Sequence, residues 1–292
     1  MRRSMLFLPG NNPNMLINGA TLGSDAIIFD LEDAVSPAEK DAARILVRNT
    51  MRYMDLGGCE TIVRINSVDT AYWQADLDAI VPQKPDLILL PKSACADDIR
   101  LVDAYLAEKE TALGLPYGTV GLMPLIETAL GVENAFSIAS AAKRVKALFL
   151  GAEDLTADLQ CKRTKEGREI EYARTRLVVA ARAAGVDVYD TPFTDVNDDE
   201  GIWVDAQLAK ALGFTGKASI SPRHVEVINQ VFSPTEKEID YAYEVLDAIE
   251  LAKSQGKGAI ALHGKMIDAP IVARAQRTIE MAKALGLGRE DA

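Results

Sequence analysis

Short apolar runs recur along the chain, each closed by turn residues or carboxylates, and they alternate with longer stretches of helical periodicity. Ser4–Leu8 (SMLFL) is stopped by Pro9, Gly10 and Asn11, and Ala26–Leu31 runs into Glu32 and Asp33. Further runs of strand length lie at Thr61–Ile65, Asp86–Leu90, Val120–Ile126, Ala147–Leu150, Val186–Tyr189 and Lys217–Ile220. Runs that are apolar on both faces mark parallel strands covered by helices. The intervening periodicity predicts a short helix before Gly23, then helices from Ser36-Pro37 to about Met54 and over Trp73–Val81, Asp97–Glu110, Ala129–Ala142, Glu169–Ala184 and Asp198–Leu212. Ser36, Pro37 and Glu39 have the spacing of an N-cap, a first-turn proline and a capping box. Eight such units predict an α/β fold, a (β/α)8 TIM barrel; a doubly wound sheet is the alternative that eight alternating units disfavour.

Two helical stretches, Pro234–Gln255 and Pro270–Leu285, flank a segment carrying Gly256, Gly258 and Gly264. They exceed what eight units need. The expected division is therefore a catalytic barrel over 1–233 and a C-terminal helical extension over 234–292 that acts as a lid or a subunit contact.

In such a barrel the active site lies at the C-terminal ends of the strands. The polar residues expected there are Asp30, Glu32, Asp33, Arg64, Asn66, Lys92, Glu127, Glu153, Asp154, Asp190 and Ser221. The stretch Leu148–Leu155 (LFLGAEDL) is the most telling, an apolar run with two adjacent carboxylates just past its glycine. Carboxylates at that depth need solvent, a cation or a substrate, because an unpaired buried charge is costly. Glu127 and Asp154 close neighbouring strands, about 5 Å apart, so they can share one cation. Magnesium suits oxygen ligands of this number. The bland reading is solvated loop carboxylates; it holds for any one of them better than for the set. Arg64, inside a strand pattern, needs an anion: Glu32 or Asp33 across the sheet, a substrate carboxylate or enolate, or both.

The chain has 292 residues, 48% of them hydrophobic, and a net charge of -11. That balance disfavours nucleic-acid binding. No run of about 20 apolar residues predicts a membrane span, and the apolar start is cut by Pro9 and Gly10, too short for a secretory signal. Cys59, Cys95 and Cys161 are far apart, which argues against structural zinc or a disulfide framework and fits a cytoplasmic protein. Only His224 and His263 are present, neither at an expected strand end, so a histidine-based triad has little support. No dinucleotide or P-loop glycine pattern follows a strand.

Taken together, SMLFLPG, FDLEDAV, TIVRIN, LPK, IET, LGAEDL, GFTGKASISPR and GKMIDAP resemble the citrate lyase β-subunit family, within the wider HpcH/HpaI-type aldolases that include malyl-CoA lyases. The resemblance runs in order from about Ser4 to Ala284, and GKMIDAP favours the citrate lyase group over shorter relatives. It implies a magnesium-dependent carbon–carbon lyase that cleaves a citryl thioester to an acetyl thioester and oxaloacetate. Carried over residue by residue, it implies Glu127 and Asp154 as metal ligands and Arg64 as the substrate-binding arginine. It further implies that the backbone of Gly151, Ala152, Glu153 and Asp154 holds the oxaloacetate carboxylate, and that Asp268 is a lid aspartate reaching a neighbouring subunit's site. Glu32 or a metal-bound water are the candidates for the base. The implied partners are a thioester on acyl-carrier protein or CoA, the citrate lyase α and γ subunits, and further copies of the chain in a trimer or hexamer. A stand-alone malyl-CoA or methylmalyl-CoA lyase, and a non-catalytic scaffold subunit, are the competing readings.

Overall fold

The computed structural model describes residues 1–254 and 260–288. They fall into two compact units, Arg2–Gln230 and a second made of Met1 with the described residues from Val231 onward. In the first, eight parallel strands close into a barrel in sequence order: β1 (Ser4–Pro9), β2 (Ala26–Asp30), β3 (Glu60–Arg64), β4 (Leu87–Leu90), β5 (Gly121–Ile126), β6 (Ala147–Leu150), β7 (Asp187–Asp190) and β8 (Gly216–Ser219). β1 pairs with β2 from Met5↔Ala26 to Pro9↔Asp30, and it closes the ring on β8 from Ser4↔Lys217 to Leu6↔Ser219.

The sequence forms these strands because both of their faces are covered. One alternating set, including Met5, Ile28, Ile62, Leu89, Met123, Leu125, Phe149 and Tyr189, fills the barrel interior as one cluster. The other set, including Ile27, Phe29, Val63, Ile88, Leu122, Leu148 and Val188, is equally buried. Each large apolar side chain removed from water in this way contributes about 1.5–3 kcal/mol. Continuing the inward set by two residues gives Asp30 after Ile28, Arg64 after Ile62, Glu127 after Leu125 and Gly151 after Phe149. Strand parity alone brings these four positions to the barrel's mouth.

The connecting helices are α1 (Pro13–Asn18), α2 (Lys40–Tyr53), α3 (Trp73–Ile80), α4 (Ala96–Ala112), α5 (Ala129–Glu133), α6 (Ala135–Ala139), α7 (Ala152–Asp158), α8 (Glu171–Ala184), α9 (Asp199–Leu212) and α10 (Pro222–Phe232). Three features differ from the sequence expectation. The helix expected over Ala129–Ala142 is two short helices that meet at Asn134, whose ψ of 2° leaves the helical range. The Ser36 hydroxyl bonds the Glu39 carboxylate at 3.2 Å instead of capping a backbone amide, and Pro37–Glu39 is a 3-10 turn before α2. Helices α7 and α10 were not expected. The first is only seven residues long, and the second begins at a proline that reads equally as a turn.

The second unit contains α11 (Glu236–Ser254), a two-stranded antiparallel hairpin of β9 (Ile260–Leu262) and β10 (Lys265–Ile267), and α12 (Ala269–Ala284). Its core holds Ala242, Val245, Ile267, Ala275 and Ile279. The hairpin replaces part of the expected glycine-rich segment; Gly256 and Gly258 lie outside the described residues. Its two-residue turn, His263-Gly264, has positive φ at both positions, 48° and 74°, the geometry that suits a tight hairpin. His263 also pairs with Glu244 at 2.7 Å. Asp268 is exposed and caps α12, accepting a hydrogen bond from the Ile271 amide at 3.3 Å.

Candidate active site

At the mouth of the barrel is a cavity of about 330 Å³ whose lining includes Phe7, Met15, Asp30, Arg64, Glu127, Gly151, Asp154 and Ile220. Its floor is the end of the inward core, where the Phe7 and Phe149 rings stack at 6.0 Å between centroids.

Arg64 rises from that floor, its guanidinium 5.1 Å from the Phe7 ring centre. Its Nε and Nη2 donate to the two oxygens of Asp30 at 2.7 and 2.6 Å. Its Nη1 lies 2.9 Å from Glu32 Oε2 and 3.8 Å from Asp33. Burial works against the charge, but the Asp30 hydrogen bonds and charge outweigh it and hold the arginine above its ordinary pKa. The sequence pointed to Glu32 or Asp33 as the acidic neighbour; Asp30 is the principal one. It is opposite Arg64 in the β2–β3 ladder, and it also accepts the amides of Glu32 and Ala34 at 2.9 and 3.2 Å. One buried carboxylate therefore shapes the loop and aims the arginine.

The loop after β2 is held from behind. Buried Lys40 donates to the carbonyls of Leu31 and Glu32 at 2.8 and 2.7 Å, and burial lowers its pKa against the pull of Asp30 and Glu32. Asn66 bonds the Leu31 carbonyl at 3.0 Å and Asp76 at 2.7 Å, and Asp76 is paired with Arg44 at 2.9 Å. Asn66 is thus a support of the site and not part of its lining.

Glu127 is buried at the end of β5. Its Oε1 accepts the Lys92 amide at 2.7 Å, and its Oε2 faces Gly151, where a Cβ would come within 2.6 Å. Burial first, and then the charge of Glu32, push this carboxyl up to about 8. Glu32 is also raised by burial, against the opposing charges of Arg64 and Lys92. Asp154, in the first turn of α7, is half-exposed beside it. A buried carboxylate with one free oxygen and an accessible carboxylate in the helix turn that follows the adjacent strand fit a hard divalent cation that keeps several waters. Among the described residues no group of three His, Cys, Asp or Glu side chains is arranged to hold a metal ion.

The start of α7 completes the wall. The Gly151 amide bonds the Ile126 carbonyl at 2.9 Å and the Ala152 amide the Thr191 hydroxyl at 3.1 Å. The first-turn amides of Glu153 and Asp154 have no intrahelical acceptor. Glu153 itself points outward, 3.7 Å from Arg163.

Two expected site residues lie elsewhere. Asp190 follows the outward set of β7 and is buried with Arg174, Asp205 and Lys217 in ion pairs of 2.6–2.8 Å. Ser221 accepts the Arg223 amide at 3.3 Å, and Ile220 lines the cavity in its place. His224 is buried on α10 beside Phe193, ring centres 6.1 Å apart, away from the lining.

Comparison with known proteins identifies relatives of this chain. The family model described as HpcH/HpaI aldolase/citrate lyase matches residues 3–222. The citrate lyase subunit beta of Leuconostoc mesenteroides subsp. cremoris is 46% identical over 284 residues, 97% of this chain and 94% of that protein. The L-malyl-CoA/beta-methylmalyl-CoA lyase of Cereibacter sphaeroides is 33% identical over 301 residues, 96% and 94% of the two chains. Among solved structures, the CitE protein of Mycobacterium tuberculosis in complex with magnesium, acetoacetate and coenzyme A superposes with a TM-score of 0.79 at 31% identity, covering 97% of this chain and 98% of that one.

Proposed function

The chain belongs to the HpcH/HpaI aldolase/citrate lyase family, and from that premise we propose that it is a magnesium-dependent carbon–carbon lyase, a citrate lyase β subunit that cleaves a citryl thioester to an acetyl thioester and oxaloacetate. The observation that carries this reading is the meeting of Arg64, Glu127 and Asp154 in one cavity at the barrel's mouth. Glu127 and Asp154 would hold the magnesium ion, which supplies positive charge to the substrate's hydroxyl and adjacent carboxylate and so lowers the hydroxyl pKa.

The chain's own residues do the rest. Loss of the hydroxyl proton drives cleavage of the carbon–carbon bond and leaves a thioester enolate. Arg64, fixed by Asp30, presents positive charge in a low-dielectric wall and offsets the enolate's charge without reorganising. The free amides at Glu153 and Asp154 are suited to a substrate carboxylate. Phe7 and Phe149 exclude water beneath the reacting carbons. Glu32 serves as base only by releasing one of its two cations, Arg64 or Lys92. Asp268 is assigned the proton delivered to the enolate, from a neighbouring copy of the chain. Its carboxylate at a helix start, exposed and with one oxygen uncommitted to the Ile271 amide, supports that role.

The proposed carrier is an acyl-carrier γ subunit acting beside an α subunit, with CoA thioesters as the free analogue, in a cytoplasmic assembly built on a trimer or hexamer of this chain. Among the described residues no helix is long and apolar enough to cross a membrane. The test is incubation with citryl-CoA and malyl-CoA, with and without EDTA, measuring oxaloacetate and glyoxylate separately. Magnesium-dependent oxaloacetate release supports the reading. Glyoxylate alone would move the chain to the malyl-CoA lyases, and no turnover on either would leave a scaffold subunit.

A further inference from the structure

In the reaction just described Lys92 enters only as a cation held by Glu32, yet it approaches more of the site's carboxylates than any residue discussed above. It follows β4 with φ of 51°, a left-handed conformation that costs a non-glycine residue about 1 kcal/mol. Its two polar ends reach different carboxylates. The backbone amide donates to Glu127 at 2.7 Å. The ammonium bonds Glu32 at 2.9 Å and lies 3.8 Å from Asp154 and 4.0 Å from Asp33. The side chain is 40% exposed, so the ammonium has room to withdraw.

The charge balance makes this position consequential. Asp30, Glu32, Asp33, Glu127 and Asp154 crowd the mouth, and Arg64 is committed to Asp30 and Glu32. Lys92 is then the remaining cation facing Asp154 among the ion pairs described. We infer that Lys92 is a built-in counter-ion to the metal site: its ammonium neutralises Asp154 and Glu32 when no divalent cation is bound, and it yields toward Glu32 and Asp33 when one arrives. The inference rests on Glu127 and Asp154 as the magnesium ligands. Its consequence is a tuned affinity. A positive charge beside a ligand weakens binding of a second cation, while the same charge spares the metal-free site the repulsion of crowded carboxylates. The site stays assembled without its ion and releases it readily.

Side-chain variants isolate the ammonium, because the hydrogen bond from the backbone amide to Glu127 and the backbone conformation belong to the main chain. Magnesium chloride is titrated calorimetrically into EDTA-treated, dialysed protein, and thermal unfolding is followed in EDTA and in saturating magnesium. Lys92→Met is expected to bind magnesium about tenfold more tightly or better. It should also melt below the wild type in EDTA and recover at saturating magnesium. Lys92→Arg, keeping the charge, is expected to stay near wild-type affinity. Unchanged or weaker binding in Lys92→Met overturns the inference, provided that wild-type binding is abolished by Asp154→Asn. Wild-type binding that survives Asp154→Asn overturns the ligand assignment, and the inference with it.

Discussion

Asp30 takes the side-on pair of the Arg64 guanidinium, Nε at 2.7 Å and Nη2 at 2.6 Å, so that pair is already spent inside the protein. What Arg64 offers a ligand is charge, the second N–H of Nη2 and the donor capacity that Nη1 keeps beside Glu32. Arg64→Lys should therefore fail by losing its aim. Lysine keeps the charge but cannot make the paired bonds to Asp30. Turnover should fall by about two orders of magnitude or more, read as kcat/KM beside a urea melt.

Asp30→Asn should be worse for the fold than for the charge count. Asp30 is 2% exposed and has four donors around it. Breaking such a buried pair costs about 3–5 kcal/mol, and denaturant unfolding measures it. A loss under 1 kcal/mol would show that the loop after β2 is held by Lys40 and Asn66 alone.

Gly151→Ala should act on Glu127. The backbone at Gly151, φ -104°, accepts any residue, but the added methyl would lie 2.6 Å from Glu127 Oε2 and 2.8 Å from its Cβ. The carboxylate must move. Magnesium affinity should drop about tenfold or more, with a stability loss of about 1–3 kcal/mol from crowding at the Glu127 Cβ, and calorimetry with a paired melt decides it.

The pH dependence of metal binding follows from Glu127. Its carboxyl is pushed up from 4.5 to about 8 by burial and then by Glu32, and a metal binds only the ionised form. Magnesium affinity should climb about tenfold per pH unit toward 8 and then level off, with close to one proton released per ion bound at pH 7. For stability the sign is opposite. The folded metal-free protein holds this proton more tightly than the unfolded chain, so the group's contribution is full below 4.5 and is lost as pH rises through 8. Titrations in buffers of different ionisation heat count the protons. A flat profile from pH 6 to 8 would contradict the burial argument.

The proton-donor role proposed for Asp268 and its role as a helix cap are separated by one pair of variants. Asn caps a helix as well as Asp does but cannot give a proton. Asp268→Asn should lose turnover and keep its melting temperature, whereas Asp268→Ala should also lose about 1 kcal/mol of stability. If the aspartate acts on a neighbouring copy, mixing inactive Asp268→Ala with inactive Asp154→Ala should restore part of the activity once subunits exchange. No recovery despite proven exchange would confine Asp268 to its own chain.

The eight strands were legible because their apolar runs are continuous, and the mouth was legible because those runs end in charge. The same continuity hid which way the last residue of each strand points. Asp190 and Glu127 look alike in sequence, but Tyr189 faces inward on β7, so Asp190 faces out to Arg174 and Lys217, while Leu125 carries Glu127 in. Helix α10 did leave a signal, apolar residues at Val225, Ile228 and Val231 behind a proline that suits a first turn. The hairpin's signal was His263-Gly264 between IAL and KMI; the glycines of this segment pointed instead to a lid or a subunit contact. Lys92 was visible as a strand-end lysine, but nothing local announces its positive φ.

The seam that closes the barrel joins β1 to β8, residues 4–6 to residues 217–219. Arg64, Glu127 and Asp154 all leave the ribosome well before that seam can form. At about 5–20 residues per second, several seconds of synthesis separate the last of them from β8. For that interval the nascent chain carries its acidic residues and its apolar strands with no ring to enclose them. A chain truncated before β8 would contain all three residues and still lack a mouth to hold them together.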